Sequence, residues 1–313
     1  MQLGFVDGWI SPKVGQNAAL QRLSDEVKWY RFEKILVKLG PAGPGRPPFD
    51  ALLMLKALLL QQWYQLSDAG LEEALNDRMS FRRFIGLGLD DAAPDHTTLC
   101  RFRNRLAEAG LASKLFAEFS RQLEGRGLLL KQGTMIDASL IETPYRPGSA
   151  DGTREAVDRD AALTARKGKR GTYYGYKLHA GVDQTSRLIR TILLTPANIN
   201  DTTPADQLVC GDEKAVYADK GYAKRARRQW LRRLGIKARI MHKSWGGGPA
   251  LTAWQKRHNA LISSIRAEVE GLFATLKRWY GFTHVRYRGL ARNESHLALL
   301  ATAYNMKRAL KLA

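Results

Sequence analysis

Three residues in one short stretch have the types and spacing of a working face. In IRAEVEGLFATLKRWY (Ile265 to Tyr280), Arg266, Glu270 and Lys277 recur at intervals of four and seven. At 3.6 residues per turn that lines up a base, an acid and a base on one side of a helix. Ile262, Ile265, Val269, Leu272, Leu276 and Trp279 recur at threes and fours and make an apolar stripe on the neighbouring face. Alone, the pattern reads first as a surface ion-pair ladder. Two aspartates upstream change its meaning. Asp137 stands inside the otherwise apolar run GTMIDASLIE. A buried carboxylate there must be paired, metal-bound or protonated, unless the strand ends and turns it to solvent. Asp219 directly follows the short apolar run Ala215 to Ala218 in VYADKGYA, and the carboxyl end of a short buried strand is where α/β sheets put their chemistry. Three carboxylates brought together repel one another unless divalent cations sit among them. Hard oxygen ligands suit Mg²⁺ or Mn²⁺. Two such ions about 3.5–4 Å apart serve an in-line phosphodiester displacement.

The elements that must position these acids fill the back half of the chain. From Leu128 the apolar pattern becomes short and strand-like: Leu128 to Leu130, Thr134 to Leu140, Tyr173 to Val182, Leu188 to Leu194, Ala215 to Ala218 and Ile236 to Met241. Thr143 to Thr172 is polar, mixed in charge and glycine-bearing, and is expected to be a long loop. Its distal basic cluster, Arg166, Lys167, Lys169 and Arg170, has the make-up of a phosphate clamp. On the strand from Tyr173, Lys177 and His179 share a face. His179 is either a metal ligand or, more commonly for such a residue, a hydrogen-bonded strand histidine. Asp201 is expected to cap a helix from Thr202 to Val209, and a basic helix carrying Lys224, Arg225 and Arg228 runs to Leu234. KSWGGGPA (Lys243 to Ala250) reads as a glycine hinge before the helix that carries Glu270, and a last amphipathic helix spans Ser295 to Leu310.

The front half is helical. A helix from Ser24 to Leu39 leads to the stiff connector PAGPGRPP (Pro41 to Pro48). Phe49 to Tyr64 is so apolar that it must be buried in a bundle or at a subunit contact. Ser67 caps a helix to about Asp77. In PDHTTLCRFRNRLAEAG (Pro94 to Gly110), Asp95 is an N-cap and Gly110 a stop. Leu99, Phe102 and Leu106 form the stripe that is to be buried, and Arg101, Arg103 and Arg105 fall largely outside it. This suits the recognition helix of a helix-turn-helix, and equally an ordinary bundle helix with solvated arginines. The expected division is a helical DNA-binding and dimerisation domain over residues 1–127 and an α/β domain over residues 128–313, which makes the fold class α+β.

Charge narrows the partner. The 313 residues carry 50 Lys and Arg against 30 Asp and Glu, a net charge of +20, which points to a polyanion, nucleic acid before membrane. Between Lys220 and Arg266 there are 13 Lys and Arg and no acid, although surfaces normally intersperse both signs. The 2 cysteines, Cys100 and Cys210, are far apart and argue against both a disulfide framework and a zinc site. The start has no signal-peptide pattern, and the longest apolar run is too short for a bilayer. A soluble, reducing, cytoplasmic setting is expected.

Taken together, these segments resemble insertion-sequence transposases with a DDE triad, of the InsH-like family. The carriers are IDASLIET around Asp137, YGYKLHAGVD, TPANINDT (Thr195 to Thr202), ADKGY around Asp219, and Arg266-x3-Glu270-x6-Lys277 followed by GFTHVRYRGL. GRPPFD and PDHTTLCRFR resemble that family's N-terminal domain, so the likeness covers nearly the whole chain. It implies a mixed five-stranded ribonuclease-H-like sheet flanked by helices, with the strands of Asp137 and Asp219 adjacent and the Glu270 helix across them. It also implies a catalytic and metal-holding triad of Asp137, Asp219 and Glu270, with two Mg²⁺ per site for which Mn²⁺ substitutes. Arg266 and Lys277 would hold the phosphates of the element's end. Lys177, Arg101, Arg103, the 166–170 cluster and Lys224, Arg225 and Arg228 would be further DNA contacts. The implied reaction frees a 3′-hydroxyl at the terminal inverted repeat and joins it to target DNA, in a bacterial, nucleoid-associated homodimer with the Phe49 to Tyr64 helix as one candidate contact. Ser263 stands where related transposases often have a tyrosine, and no large insertion precedes the Glu270 helix. The competing readings are a structure-specific nuclease on the same fold, and a catalytically silent DNA-binding derivative, against which the intact triad argues.

Overall fold

The sequence marks most helix starts with side chains that accept a backbone N–H, and the structure uses them. In this computed structural model, which describes residues 15–40, 48–149, 153–165, 171–244 and 249–312, Asn17, Asp50, Ser67 and Asp95 each cap the helix that follows. The chain divides into two compact units, Met1–Gly125 with Ala298–Ala313, and Arg126–Leu297.

The helical unit contains α1 (Ala18–Glu26), α2 (Trp29–Leu36), α3 (Ala51–Tyr64), α4 (Asp68–Asp77), α5 (Met79–Ile85), α6 (His96–Glu108) and α7 (Leu111–Gly125). The single helix expected from Ser24 is two helices, because the extended backbone at Val27 closes α1 and α2 begins at Trp29. The α3 helix is interior, with Met54, Leu55 and Ala57 to Trp63 buried. Trp63 packs edge-on against Phe84 at 5.6 Å, and Tyr64 lies 4.7 Å from Phe81. Of the two settings open to this helix, the structure gives the bundle core rather than a subunit contact. The last helix, α10 (Leu290–Ala309), ends in this unit, where the Trp63 indole N–H donates to the Ala303 carbonyl at 2.8 Å. That hydrogen bond explains why residues from Ala298 onward group with the front of the chain, not with the unit expected to run to residue 313.

The second unit is built on a six-stranded mixed sheet of β1 (Thr134–Glu142), β2 (Ala162–Ala165), β3 (Thr172–Asp183), β4 (Ile189–Pro196), β5 (Ala215–Ala218) and β6 (Lys237–Ile240). Its order is β2-β3-β1-β5-β6, with β4 also paired to β3. The pairs β1–β3 and β3–β4 are antiparallel, while β1–β5 and β5–β6 are parallel. This is the ribonuclease-H-like arrangement, with the Asp137 strand beside the strand that ends at Asp219. One strand more than expected is present: β2, inside the segment read as a loop, pairs with the start of β3. Leu128 to Leu130 form no strand. In place of the expected helix from Thr202, a single 3-10 turn spans Ala205–Leu208 with no side-chain cap.

Two helices sandwich the site-bearing strands. The α8 helix (Arg225–Arg233) makes the crossover that parallel β5 and β6 require, and Leu231 joins Ile136, Val216, Ala218, Tyr222, Ile236 and Ile240 in one buried cluster. The long α9 helix (Ala253–Trp279) opens with a capping box between Thr252 and Gln255. It packs across β1, β5 and β6. Because successive strand side chains point to opposite faces, Ile136 enters the cluster beside α8 while Asp137 faces α9.

Candidate active site

Strand pairing brings two of the three acids together. The parallel register sets Thr134 against Val216 and Met135 against Tyr217, so Asp137, within β1, comes beside Asp219, just past the end of β5. Asp219 caps a 3-10 turn (Lys220–Tyr222), its Oδ1 accepting the Gly221 N–H. The glycine is needed for close approach, since a Cβ at position 221 would lie 2.8 Å from that oxygen. Asp137 Oδ1 accepts the Ala138 N–H at 2.9 Å, and Oδ2 accepts from Arg266 Nη2 at 2.8 Å. Burial pushes the Asp137 carboxyl above the usual carboxylate range, Arg266 and the Ala138 N–H oppose the rise, and the charges of Asp219 and Glu270 add to it. The three acids therefore share one electrostatic neighbourhood, with Arg266 as the cation inside it.

The face of α9 differs from the helical-wheel reading. The buried residues are Ile262, Arg266, Val269, Leu272, Phe273 and Leu276, so Arg266 belongs to the buried stripe. Trp279, assigned to that stripe, is 62% exposed, with Arg278 5.4 Å from its ring. Glu270 is exposed beside the buried stripe, as is Ser263. Lys277 Nζ donates to the Leu140 carbonyl at 3.1 Å, on the same strand as Asp137. Lys177 donates to the Ile199 carbonyl at 2.7 Å and pairs with Asp201 at 2.8 Å, so Asp201 anchors the turn after β4 to β3 instead of capping a helix. Both lysines line a cavity of about 600 Å³ with Ala138, Ser139, Asp201 and His284.

His179 is the hydrogen-bonded strand histidine. It is fully buried, with Nε2 2.9 Å from the Thr195 hydroxyl. Tyr222 escaped the sequence reading, and Asp201 was read there only as a helix cap. Tyr222, the last residue of ADKGY, has a buried hydroxyl with no hydrogen-bond partner among the described residues. Burial and the charges of Asp137, Asp201 and Asp219 all hold it protonated. Asp201 acts on both Tyr222 and His179. The available signal was position alone: each lies in a motif quoted for the resemblance, without an apolar pattern to mark it.

The other basic residues separate into two groups. Arg103 is buried and forks onto both oxygens of Asp68 at 2.7 and 2.8 Å, which makes it a bundle strut. Arg105 donates to the carbonyls of Leu39 and Gly40. Arg228 donates to the Ile240 carbonyl at 2.8 Å, at the end of β6. Arg101, Lys224 and Arg225 are exposed. Arg166, Lys167, Lys169 and Arg170 lie outside the described residues, as does most of the glycine hinge.

The donor set Asp137, Asp219 and Glu270 is all carboxylate, the chemistry that Mg²⁺ and Mn²⁺ prefer, and the mutual effect of the three charges marks an excess of negative charge. Among the described residues no three His, Cys, Asp or Glu stand close enough together to hold an ion as they are. One oxygen of Asp137 is paired with Arg266 in this arrangement.

Comparison with known families decides the assignment. The model of the transposase DDE domain matches residues 129–306. The chain belongs to this family. A second transposase domain model (DUF772) matches residues 10–105 in the helical front. The chain is therefore a DNA transposase, and the family's chemistry is metal-dependent phosphodiester cleavage and strand transfer. Two solved structures align over nearly their full length but weakly. One is the Mos1 strand transfer complex, at 12% identity over 95% of this chain and 96% of that one, with a TM-score of 0.21. The other is a pre-cleavage Mos1 transpososome, at 13% identity over 95% and 98%, with a TM-score of 0.19. Among the described residues of the transposase no helix is long and apolar enough to cross a membrane.

Proposed function

We propose that Asp137, Asp219 and Glu270 are the metal-holding acids of an InsH-like insertion-sequence transposase, which binds its element's terminal inverted repeats, cuts the ends and joins the freed 3′-hydroxyl to target DNA. The observation that carries this reading is the electrostatic meeting of the three acids on Asp137, where β1 and β5 run parallel beneath α9. A divalent cation, Mg²⁺ with Mn²⁺ as substitute and two ions per site, would supply Lewis-acid polarisation of the phosphate and activation of the attacking oxygen when held by these carboxylates. The protein's own part is positioning. Gly221 holds the Asp219 carboxylate, Ala138 holds one oxygen of Asp137, and the mostly apolar cluster beneath β1 and β5 fixes the two strands that carry the acids.

Lys277 and Lys177, at the cavity beside Asp137, carry positive charge toward the strand being cut. Exposed Lys224 and Arg225, with Lys256 and Arg257 on the first turns of α9, would follow the backbone of double-stranded DNA. Such contacts neutralise phosphates and release counterions, so affinity falls steeply with salt. Arg101, exposed on α6, is the one arginine of the expected recognition trio (Arg101, Arg103, Arg105) with its head free to meet DNA. Handling two ends implies a homodimer in the DNA complex, formed through surfaces other than buried α3. Cleavage and joining of a labelled duplex bearing the element's end, in Mg²⁺, tests the reading. The wild-type protein is expected to cut and join and Asp219→Ala to do neither. Cutting without joining would point to a nuclease, and salt-sensitive binding without cutting would sink the enzymatic role.

A further inference from the structure

Asp137 serves a metal ion less well while its Oδ2 is held by Arg266. The two side chains, Arg266 and Asp137, are 10% and 20% exposed, and Arg266 Nη2 sits 2.8 Å from Asp137 Oδ2. A guanidinium on that oxygen and a dication coordinated by the same carboxylate would be cations in near contact, in a half-buried site that screens them poorly. Ion binding therefore competes with the pair. The pair is also incompletely satisfied, since Arg266 Nε is buried with no acceptor among the described residues. A guanidinium has a planar fork of donors, and here part of the fork is unused. A phosphate, with several oxygens, can engage that fork more fully than one carboxylate oxygen does.

We propose that Arg266 is a gate on the metal site: in the DNA-free chain it holds Asp137, and a DNA phosphate draws it away, so that metal ions bind well only once DNA is in place. The arrangement keeps a nicking centre unloaded until its substrate arrives. It also fixes a thermodynamic relation, because metal and DNA must strengthen each other's binding by the same factor. The gate rests on the triad assignment above, and one experiment separates the two.

Mn²⁺ binding to the full-length protein is measured by electron paramagnetic resonance, with and without a duplex copied from the DNA that borders the coding sequence. Asp137→Asn serves as the blank for ions held by the DNA itself. For the wild type, DNA is expected to tighten Mn²⁺ binding by about tenfold, within the usual range of coupling between sites. Arg266→Ala without DNA is expected to bind Mn²⁺ more tightly than the wild type, and DNA should then change its affinity by less than about twofold. Arg266→Lys keeps the charge without the fork and serves if the alanine variant does not fold; it should fall between the two. Equal Mn²⁺ affinity of the wild type with and without DNA overturns the gate and leaves the triad standing. Weaker Mn²⁺ binding by both Arg266 variants also overturns it, and makes Arg266 a support for Asp137. No binding above the Asp137→Asn blank in either condition overturns the triad assignment itself.

Discussion

Acid should unlock the second unit from within, through His179. This residue is fully buried on β3, opposite Ala138 on β1. Its Nε2 meets the Thr195 hydroxyl, and its Nδ1 has no partner among the described residues, so a second ring proton has nowhere to go. Burial, opposed by the charge of Asp201 and helped by that of Lys177, lowers its pKa from 6.5 to about 4. Between those values the unfolded chain binds more protons than the folded one, so stability falls as pH falls below the unfolded value and the loss is complete below the folded one. Linkage over that window gives a loss of about 2 kcal/mol between pH 7 and pH 5, rising to about 3 kcal/mol below pH 4. The assay is urea unfolding followed by circular dichroism at both pH values, for the wild type and His179→Gln. Glutamine keeps a hydrogen bond to Thr195 within reach and does not titrate. The wild type should lose about 2 kcal/mol more than the variant over this range. Parallel pH profiles for the two proteins would refute the reasoning.

Arg103→Ala should cost about 2 kcal/mol by removing the two-pronged hydrogen bond to Asp68, which keeps the Gln61 amide as a donor, read as a lower unfolding midpoint. Arg101→Ala should leave stability unchanged, weaken DNA binding and reduce the salt slope by about one. Gly175→Ala would put a Cβ 2.3 Å from the Ile141 carbonyl oxygen; the β1–β3 pairing cannot absorb this, and a loss of about 3 kcal/mol or more is expected in urea unfolding. Gly221→Ala should displace the Asp219 carboxylate and lower the cleavage rate by about 100-fold with little change in melting temperature.

The strands of the two aspartates were legible because an acid interrupts one short apolar run, at Asp137, and directly follows another, at Asp219, and their adjacency followed from the resemblance. The role of Arg266 was not. A helical wheel separates polar from apolar residues, but it cannot foresee that an arginine joins the buried stripe because a carboxylate 129 positions away neutralises it. Trp279 erred in the other direction: it is the last residue of α9 and lies exposed beyond a buried stripe that ends at Leu276. The β2 strand was hidden because its four residues lie in a polar segment and pair only with the start of β3. The partners that Arg103, Arg228 and Lys177 have within the chain, carbonyls and carboxylates, were not legible either, because only the fold brings them near.

The most direct test of the central claim replaces an acid with a ligand of different softness. Asp219→Cys is assayed for strand cleavage of the element's end in Mg²⁺ and then in Mn²⁺. A thiolate binds Mg²⁺ poorly and accepts a softer ion more readily. The account predicts no cleavage in Mg²⁺ and measurable recovery in Mn²⁺. Cleavage by the variant in Mg²⁺ at the wild-type rate would contradict the assignment of Asp219 as a metal-holding residue.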